Sequence, residues 1–168
     1  PVRRKLLHTQ VAGVLAENTE SVIVAEHYAL GGDSDNAVVF YKRAADAYVA
    51  KGLHTEAKTL LEKISNQVNK AKRLELQTRL ATIYVELGAH TEAETLLATL
   101  FDEVLTPRLR ADALFAKAAL LFHQGKVAEV AELLVELSEL GVDYSEADRY
   151  QLTFLRSQVA FYQNQFGE

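Results

Sequence analysis

The chain has 168 residues, of which 24 are Ala and 25 are Leu, with two Pro and no Cys, Met or Trp. That length can bury a real core, and an Ala/Leu-rich chain so poor in Pro points to an all-helical fold; without cysteine, disulfides, zinc–thiolate sites and thiol catalysis are excluded. The net charge of −5 is uneven, with 12 Lys/Arg against 9 Asp/Glu in residues 1–84 and 6 against 14 in residues 85–168, and it forms no basic stripe of the kind that reads nucleic acid.

Helical periodicity, interrupted by Gly and by capping residues, predicts nine helices at 2–17, 20–31, 34–51, 54–66, 69–87, 90–104, 107–124, 127–140 and 146–166. Gly31-Gly32 can close the second helix in a positive-φ conformation, and Asp33-Ser34 can cap the third. Asp33-Ser34-Asp35-Asn36 looks superficially like the start of a calcium loop, but the Gly at its sixth position and the closing Glu are missing, so a cap is the reading. Thr106-Pro107 reads as an N-cap followed by Pro at the first helical position, and Ser145 with Asp148 as a shortened capping box. Connections this short make successive helices antiparallel hairpins. No apolar run approaches the ~20 residues of a membrane span, and no signal-peptide stretch stands near residue 1. The absence of Met even at position 1 marks an expected fragment of a longer protein.

An internal repeat is the strongest signal. Gly52, Gly88 and Gly125 are spaced by 36 and 37 residues. Four residues before each stands Tyr48, Tyr84 or Leu121; four after stands Glu56, Glu92 or Glu129, followed by Ala57, Ala93 or Val130. The pairs Leu60-Leu61, Leu96-Leu97 and Leu133-Leu134 fall in register, and His-Thr-Glu-Ala occurs at both 54–57 and 90–93. The Gly permits a tight turn, the small residue lets the second helix approach the first, and Tyr or Leu fills the space between hairpins. Such a period signals a helical solenoid.

These residues resemble the tetratricopeptide repeat family, in which a small residue precedes Tyr by three, a turn Gly follows by four and Ala comes five later. Ala45/Tyr48/Gly52/Ala57 and Ala81/Tyr84/Gly88/Ala93 match every step, as does Ala25/Tyr28/Gly32/Ala37; Ala118/Leu121/Gly125/Val130 departs at two. Because Gly32 and Gly52 are 20 residues apart, helix 34–51 scores as the second helix of one repeat and the first of the next, and only one register can be structural. The resemblance implies a right-handed solenoid of antiparallel hairpins: one domain over 1–168, with a capping helix at 1–19, repeats at 20–140 and a divergent helix at 141–168. The repeats exceed the family's 34 residues and lack its closing Pro except at Pro107. The segment from Arg4 to Ala57, with Leu7-His8, Ala12, Ala25 to Tyr28, Gly32, Tyr41 and Ala44-Ala45, is also similar to the helical-repeat region that follows the ATPase module in multidomain bacterial signalling ATPases and transcriptional activators.

No coherent chemistry is legible. Gly31-Gly32 lacks the Gly-Lys-Ser/Thr of a phosphate loop, and no H-E-x-x-H is present. His54 and His90, at equivalent turn positions, read as packing residues; His8, His27 and His123 have no partner at a helical spacing. Glu129, Glu132, Glu136 and Glu139 form an acidic stripe that reads as a solvated face or a dock for a basic partner. Lys70, Lys72, Arg73 and Arg79 begin a helix, where the dipole disfavours cations; that hints at contact with an anion or an acidic neighbour, though a solvated face is the preferred reading. Arg3-Arg4-Lys5 reads as a contact to an upstream domain.

In stacked hairpins of this class the first helices line the groove. The register places Lys42, Asp46, Thr78, Thr82, Phe115, Ala119, Phe122 and His123 there, with packing between hairpins an equally good reading of Phe115 and Phe122. Members that clasp a peptide carboxylate use Lys and Asn on these faces. Lys42 is one counterpart, and Asp46, Thr78 and Thr82 do not complete the clamp. The expectation is a non-catalytic cytoplasmic interaction scaffold within a transcriptional or signalling regulator. It needs no cofactor or metal and binds a protein, a peptide or other domains of its parent chain, not nucleic acid or membrane, with homo-oligomerisation left open. The alternative is a small-molecule effector-sensing domain of a transcriptional activator, with a pocket near Phe115 and Phe122.

Overall fold

The computed structural model describes residues 2–16 and 21–166. Among them are nine helices and no strand: α1 (Val2–Leu15), α2 (Ser21–Gly31), α3 (Ser34–Ala50), α4 (His54–Ser65), α5 (Lys70–Glu86), α6 (His90–Phe101), α7 (Pro107–His123), α8 (Val127–Glu139) and α9 (Glu146–Phe166). None of the described helices is long and apolar enough to cross a membrane. The expected end of the first helix, at residue 17, lies outside the described residues. The helix expected over 90–104 stops at Phe101 instead. Pro107 holds Thr106 extended (ψ 154°), so the chain must leave the helix before its Thr cap can bond the Leu109 N–H.

The repeat is written in helix length. α3, α5 and α7 have 17 residues each; α4 and α6 have 12 and α8 has 13. Helix 34–50 therefore belongs with the first helices, and the Gly52 register is the structural one. Gly52, Gly88 and Gly125 share a left-handed conformation, with φ of 75°, 70° and 74°. The small residues of the motif are all interior: Ala25, Ala37, Ala45, Ala57, Ala81, Ala93 and Ala118 are at most 2 % exposed.

The chain divides into two compact units, residues 1–87 and 88–168. In the first, successive helices from α1 to α5 pack on one another and α3 also touches α5. Ala12 of α1 and Val24 and Ala25 of α2 are fully buried, α2 packing against both α1 and α3. The approach of α2 to α1 is so close that a Cβ on Gly31 would collide with Thr9 Oγ1 and lie 3.2 Å from the Thr9 backbone N. Asp33 caps α3 by accepting from the Asn36 N–H. Tyr41 is buried beneath, where loss of solvent first, and then the Glu26 carboxylate, push its hydroxyl up to about 12.

In the second unit α6, α7, α8 and α9 pack in chain order. Its core joins Leu114, Phe115, Ala118 and Leu121 of α7 to Val130, Leu134 and Leu137 of α8 and to Leu152, Leu155 and Val159 of α9. Burying each large side chain contributes about 1.5–3 kcal/mol. The capping box at α9 forms as the sequence suggests: Asp148 N–H bonds Ser145 Oγ, while the Ser145 N–H and Oγ–H both donate to Asp148 Oδ2. Arg108 of α7 closes on the same carboxylate with two bonds, of 2.7 and 3.2 Å. The Arg108 hydrogen bond above all, and then Ser145, hold Asp148 at about 2 against the opposing effect of burial.

Two consequences are measurable. Gly31→Ala drives a methyl into the Thr9 hydroxyl and crowds the α1 backbone, and is expected to lower stability by about 1–3 kcal/mol, as overpacking does. A denaturant titration in which Gly31→Ala matches the native chain contradicts that close approach. For Asp148, an unfolded carboxyl titrates near 3.9 and the folded one lower, so its stabilisation is full above about pH 4 and is lost as pH falls towards 2. Discounted for the exposed guanidinium, Asp148→Asn is expected to cost about 1–2 kcal/mol at pH 7 and almost nothing at pH 2. Urea unfolding of both proteins across that range reads the difference.

Candidate binding surfaces

The first-helix face of the first unit is covered by charge pairs. Lys72 Nζ of α5 lies 3.6 Å from Asp35 Oδ1 of α3 and 3.3 Å from Glu75 Oε1. Lys42 Nζ lies 4.0 Å from Glu75 Oε2, and Arg79 Nε donates to Asp46 Oδ1 at 2.7 Å. Three acids and three bases thus alternate between α3 and α5. The hydrogen bond from Lys72 to Glu75 is the main reason that the Lys72 ammonium is held above its usual range. The basic start of α5 accordingly has acidic neighbours within its own unit, and Asn69 caps it by accepting from the Lys72 N–H.

Among the sequence-derived candidates, Lys42 and Asp46 lie in this ladder and Thr82 beside it is half-buried. Thr78 is a correction. It is 3 % exposed and its hydroxyl donates to the Leu74 carbonyl one turn back, so it offers nothing to a groove. Phe115 is a second correction: it is 5 % exposed, edge-on to Tyr144 with ring centres 6.0 Å apart, and belongs to the core of the second unit. Ala119 is half-buried on α7. Phe122 is half-buried and edge-on to Tyr162, which in turn meets Phe161 edge-on. His123 is exposed at the end of α7.

The joints between repeats use equivalent positions in each unit. His54 and His90 stand two residues after a turn Gly; Glu86 and His123 stand two before the next. In the first unit His54 Nδ1 is 3.2 Å from Glu86 Oε2. In the second, the rings of His90 and His123 are 6.0 Å apart. The residue six after the turn Gly repeats the pattern: Lys58 lies over the Tyr84 ring of α5, and Glu94 accepts from Gln124 just beyond α7. The two turn histidines therefore bridge helices through polar or ring contacts instead of filling apolar space.

Sequence reasoning missed one further pair. His8 Nδ1 and His27 Nδ1 meet at 3.0 Å between α1 and α2, one imidazole donating and the other accepting. No helical spacing links residues 19 apart on different helices, so nothing local announced it. The ladder did have a signal: Asp46 and Arg79, 33 residues apart, carry opposite charges about one repeat period apart. Clefts open among the described residues of the second unit. One of about 260 Å³ is walled by Leu97, Phe101 and Leu120 and carries Glu94, Lys117, Lys126 and Glu129; another, of about 600 Å³, opens between residues 125–129 and Tyr162 and Gln163. The acidic stripe on α8 is solvated at Glu129, Glu132 and Glu139, while Glu136 holds Arg110. Among the described residues no three His, Asp or Glu side chains converge in a metal-binding group.

Comparison with known proteins gives no match to a family model, to a curated protein or to a solved structure.

The ladder's weight can be read by a charge swap. Asp46→Arg is expected to cost about 0.5–1 kcal/mol, and adding Arg79→Asp to recover most of it. A double-mutant cycle in urea with no coupling would show the two helices to be held by packing alone.

Proposed function

We propose that the chain is a non-catalytic interaction scaffold of the tetratricopeptide-like class, a solenoid of antiparallel hairpins that binds a peptide or a neighbouring domain along its first-helix faces. The setting proposed is the cytoplasm, inside a transcriptional or signalling regulator. One observation carries this reading: the joint between repeats is built from the same positions in both units, 54 with 86 and 90 with 123. A repeated joint as well as a repeated turn is what a stacked array requires, because each repeat is stabilised by its neighbour. The faces left for a partner are Lys42 and Thr82 in the first unit and Phe122 and His123 in the second. The second combines a polar group with half-buried apolar surface, which suits an extended or helical peptide.

The small-molecule alternative has its own support in the 260 Å³ cleft, where Lys117 and Lys126 stand with Glu94 and Glu129 around an apolar floor. That charge arrangement suits a small zwitterion.

Selection of displayed peptides against the whole chain, followed by NMR mapping, separates the two. The scaffold reading expects peptides that perturb resonances of α3, α5 or α7 and that lose at least tenfold in affinity, about 1.4 kcal/mol, on Lys42→Glu or Phe122→Ala. Failure to select any peptide, with a metabolite hit mapping to Glu94 and Lys117, would transfer the function to effector sensing.

A further inference from the structure

The helix pairs α4–α5 and α6–α7 have the same lengths, 12 and 17 residues, and counting from the turn Gly sets their residues in register. In the first pair the Tyr84 hydroxyl donates to Glu62 Oε1 at 2.7 Å, and Lys58 Nζ stands 5.3 Å from the centre of the Tyr84 ring. Lys58 also lies 3.9 Å from the same carboxylate oxygen. A ring, a cation and a carboxylate thus meet between α4 and α5. In the second pair all three have changed: Leu121 stands at the place of Tyr84, Ala98 at that of Glu62 and Glu94 at that of Lys58. Those three replacements all line the cleft of about 260 Å³.

Charge has entered the cleft as the ring left it. Lys117 takes the place of the buried Leu80 and lies 5.3 Å from the centre of the Phe101 ring, and Lys126 takes that of Ala89. With Glu94 and Glu129 they make a rim of two cations and two carboxylates, and none of the four has an ion-pair partner among the described residues. The α3–α5 ladder, by contrast, pairs its ions. The Gln124 amide that donates to Glu94 keeps a buried oxygen with no hydrogen-bond partner among the described residues, so the acidic wall is short of donors. Beneath the rim Leu97, Leu120 and Leu121 are buried and apolar. The volume falls just below the roughly 300–1,000 Å³ of pockets for drug-sized ligands, which limits an occupant to about the size of an amino acid.

We propose that this cleft binds an aromatic α-amino acid as its free zwitterion. The ligand's ring takes the place that Tyr84 has in the first pair, over Leu97, Leu120 and Leu121. Its ammonium stands in for Lys58 and is held by Glu94 and Glu129; its carboxylate stands in for Glu62 and is held by Lys117 and Lys126. One small molecule thereby carries the three groups that the second pair has lost. Charge-assisted hydrogen bonds at both ends fix its orientation, and removal of the ring from water supplies affinity. The proposal deepens the small-molecule reading of this cleft and rests on it; the first-helix faces stay open to a peptide.

Calorimetric titration of the full chain with L-phenylalanine and four relatives tests each part. L-alanine lacks the ring, 2-phenylethylamine the carboxylate, 3-phenylpropionate the ammonium and N-acetyl-L-phenylalaninamide both charges. L-phenylalanine is expected to bind about tenfold or more tightly than any of them. Glu94→Lys is expected to weaken L-phenylalanine about tenfold and to leave 3-phenylpropionate no weaker. Glu94→Lys, Ala98→Glu and Leu121→Tyr together rebuild the α4–α5 arrangement and are expected to abolish binding without lowering the thermal melt. Ala98→Trp, at an exposed position on α6, fills the cleft by a second route and gives the same loss if the triple variant does not fold. No saturable binding of L-phenylalanine, binding that the cleft-filling variants leave intact, or equal binding of L-alanine overturns the proposal. Equal binding of N-acetyl-L-phenylalaninamide overturns it in favour of an aromatic side chain on a peptide. If L-phenylalanine fails while another metabolite still maps to Glu94 and Lys117, this proposal falls and effector sensing stands.

Discussion

The constraint on which the fold depends is steric: the small position of each motif, alanine or, at 130, valine, is interior with almost no solvent exposure. Helix axes settle 8–10 Å apart according to the side chains at their contact, and Ala sets the short end of that range. Close approach then dictates what surrounds it. A residue four before the turn Gly must span the wider gap beside the crossing, and Tyr or Leu does so. The chain must also reverse within three residues, which requires the left-handed turn that Gly52, Gly88 and Gly125 adopt. At Gly31 the same constraint is carried further, since even a methyl has no room there. The Ala/Leu excess of the composition is the sum of these local requirements.

Geometry repeats from one unit to the next, whereas chemistry does not. One turn histidine meets a carboxylate and its equivalent meets a second imidazole. One residue six past the turn lies over a tyrosine ring and the other accepts from a glutamine amide. The crossing positions tolerate one or two residue types because volume decides there. The joint positions are half-exposed, and any pair with complementary polarity holds them at a few tenths of a kcal/mol to about one. A repeat of this kind is specified by its small residues and turns and individualised at its joints.

The same distinction explains what was legible in the sequence. Helix count, the Thr106 and Ser145 caps and the buried Ala positions were readable because each is a local steric or hydrogen-bonding fact. The register around helix 34–50 was ambiguous because Gly32 and Gly52 both form valid positive-φ turns; helix length decided it, and length depends on packing. Thr78 and Phe115 were misplaced for a related reason. Counting from a turn Gly gives an angle around the helix, but α7 is buried on more than one side, with eight interior residues, so its angle does not say which stripe is open. His8 with His27, and Asp35 with Lys72, are tertiary pairings that no spacing within one helix can reveal. Three exposed aromatics of α9, Tyr150, Phe154 and Phe161, stood in plain view as a stripe at helical spacing. With Leu152, Leu155 and Val159 on the other side of the helix, composition alone could not say which face turns inward.

Those two kinds of surface differ in what they can contribute to recognition. The α3–α5 ladder is already satisfied: a partner that displaces one of its ions must replace an existing pair, and the exchange of one solvated ion pair for another yields little net free energy. The α9 stripe exchanges nothing. Its rings are exposed, and covering apolar area of that kind removes it from water without breaking an ion pair. On the first-helix faces the ladder's charges therefore set the register of a partner, and its affinity must come from apolar contact such as the half-buried Phe122 offers.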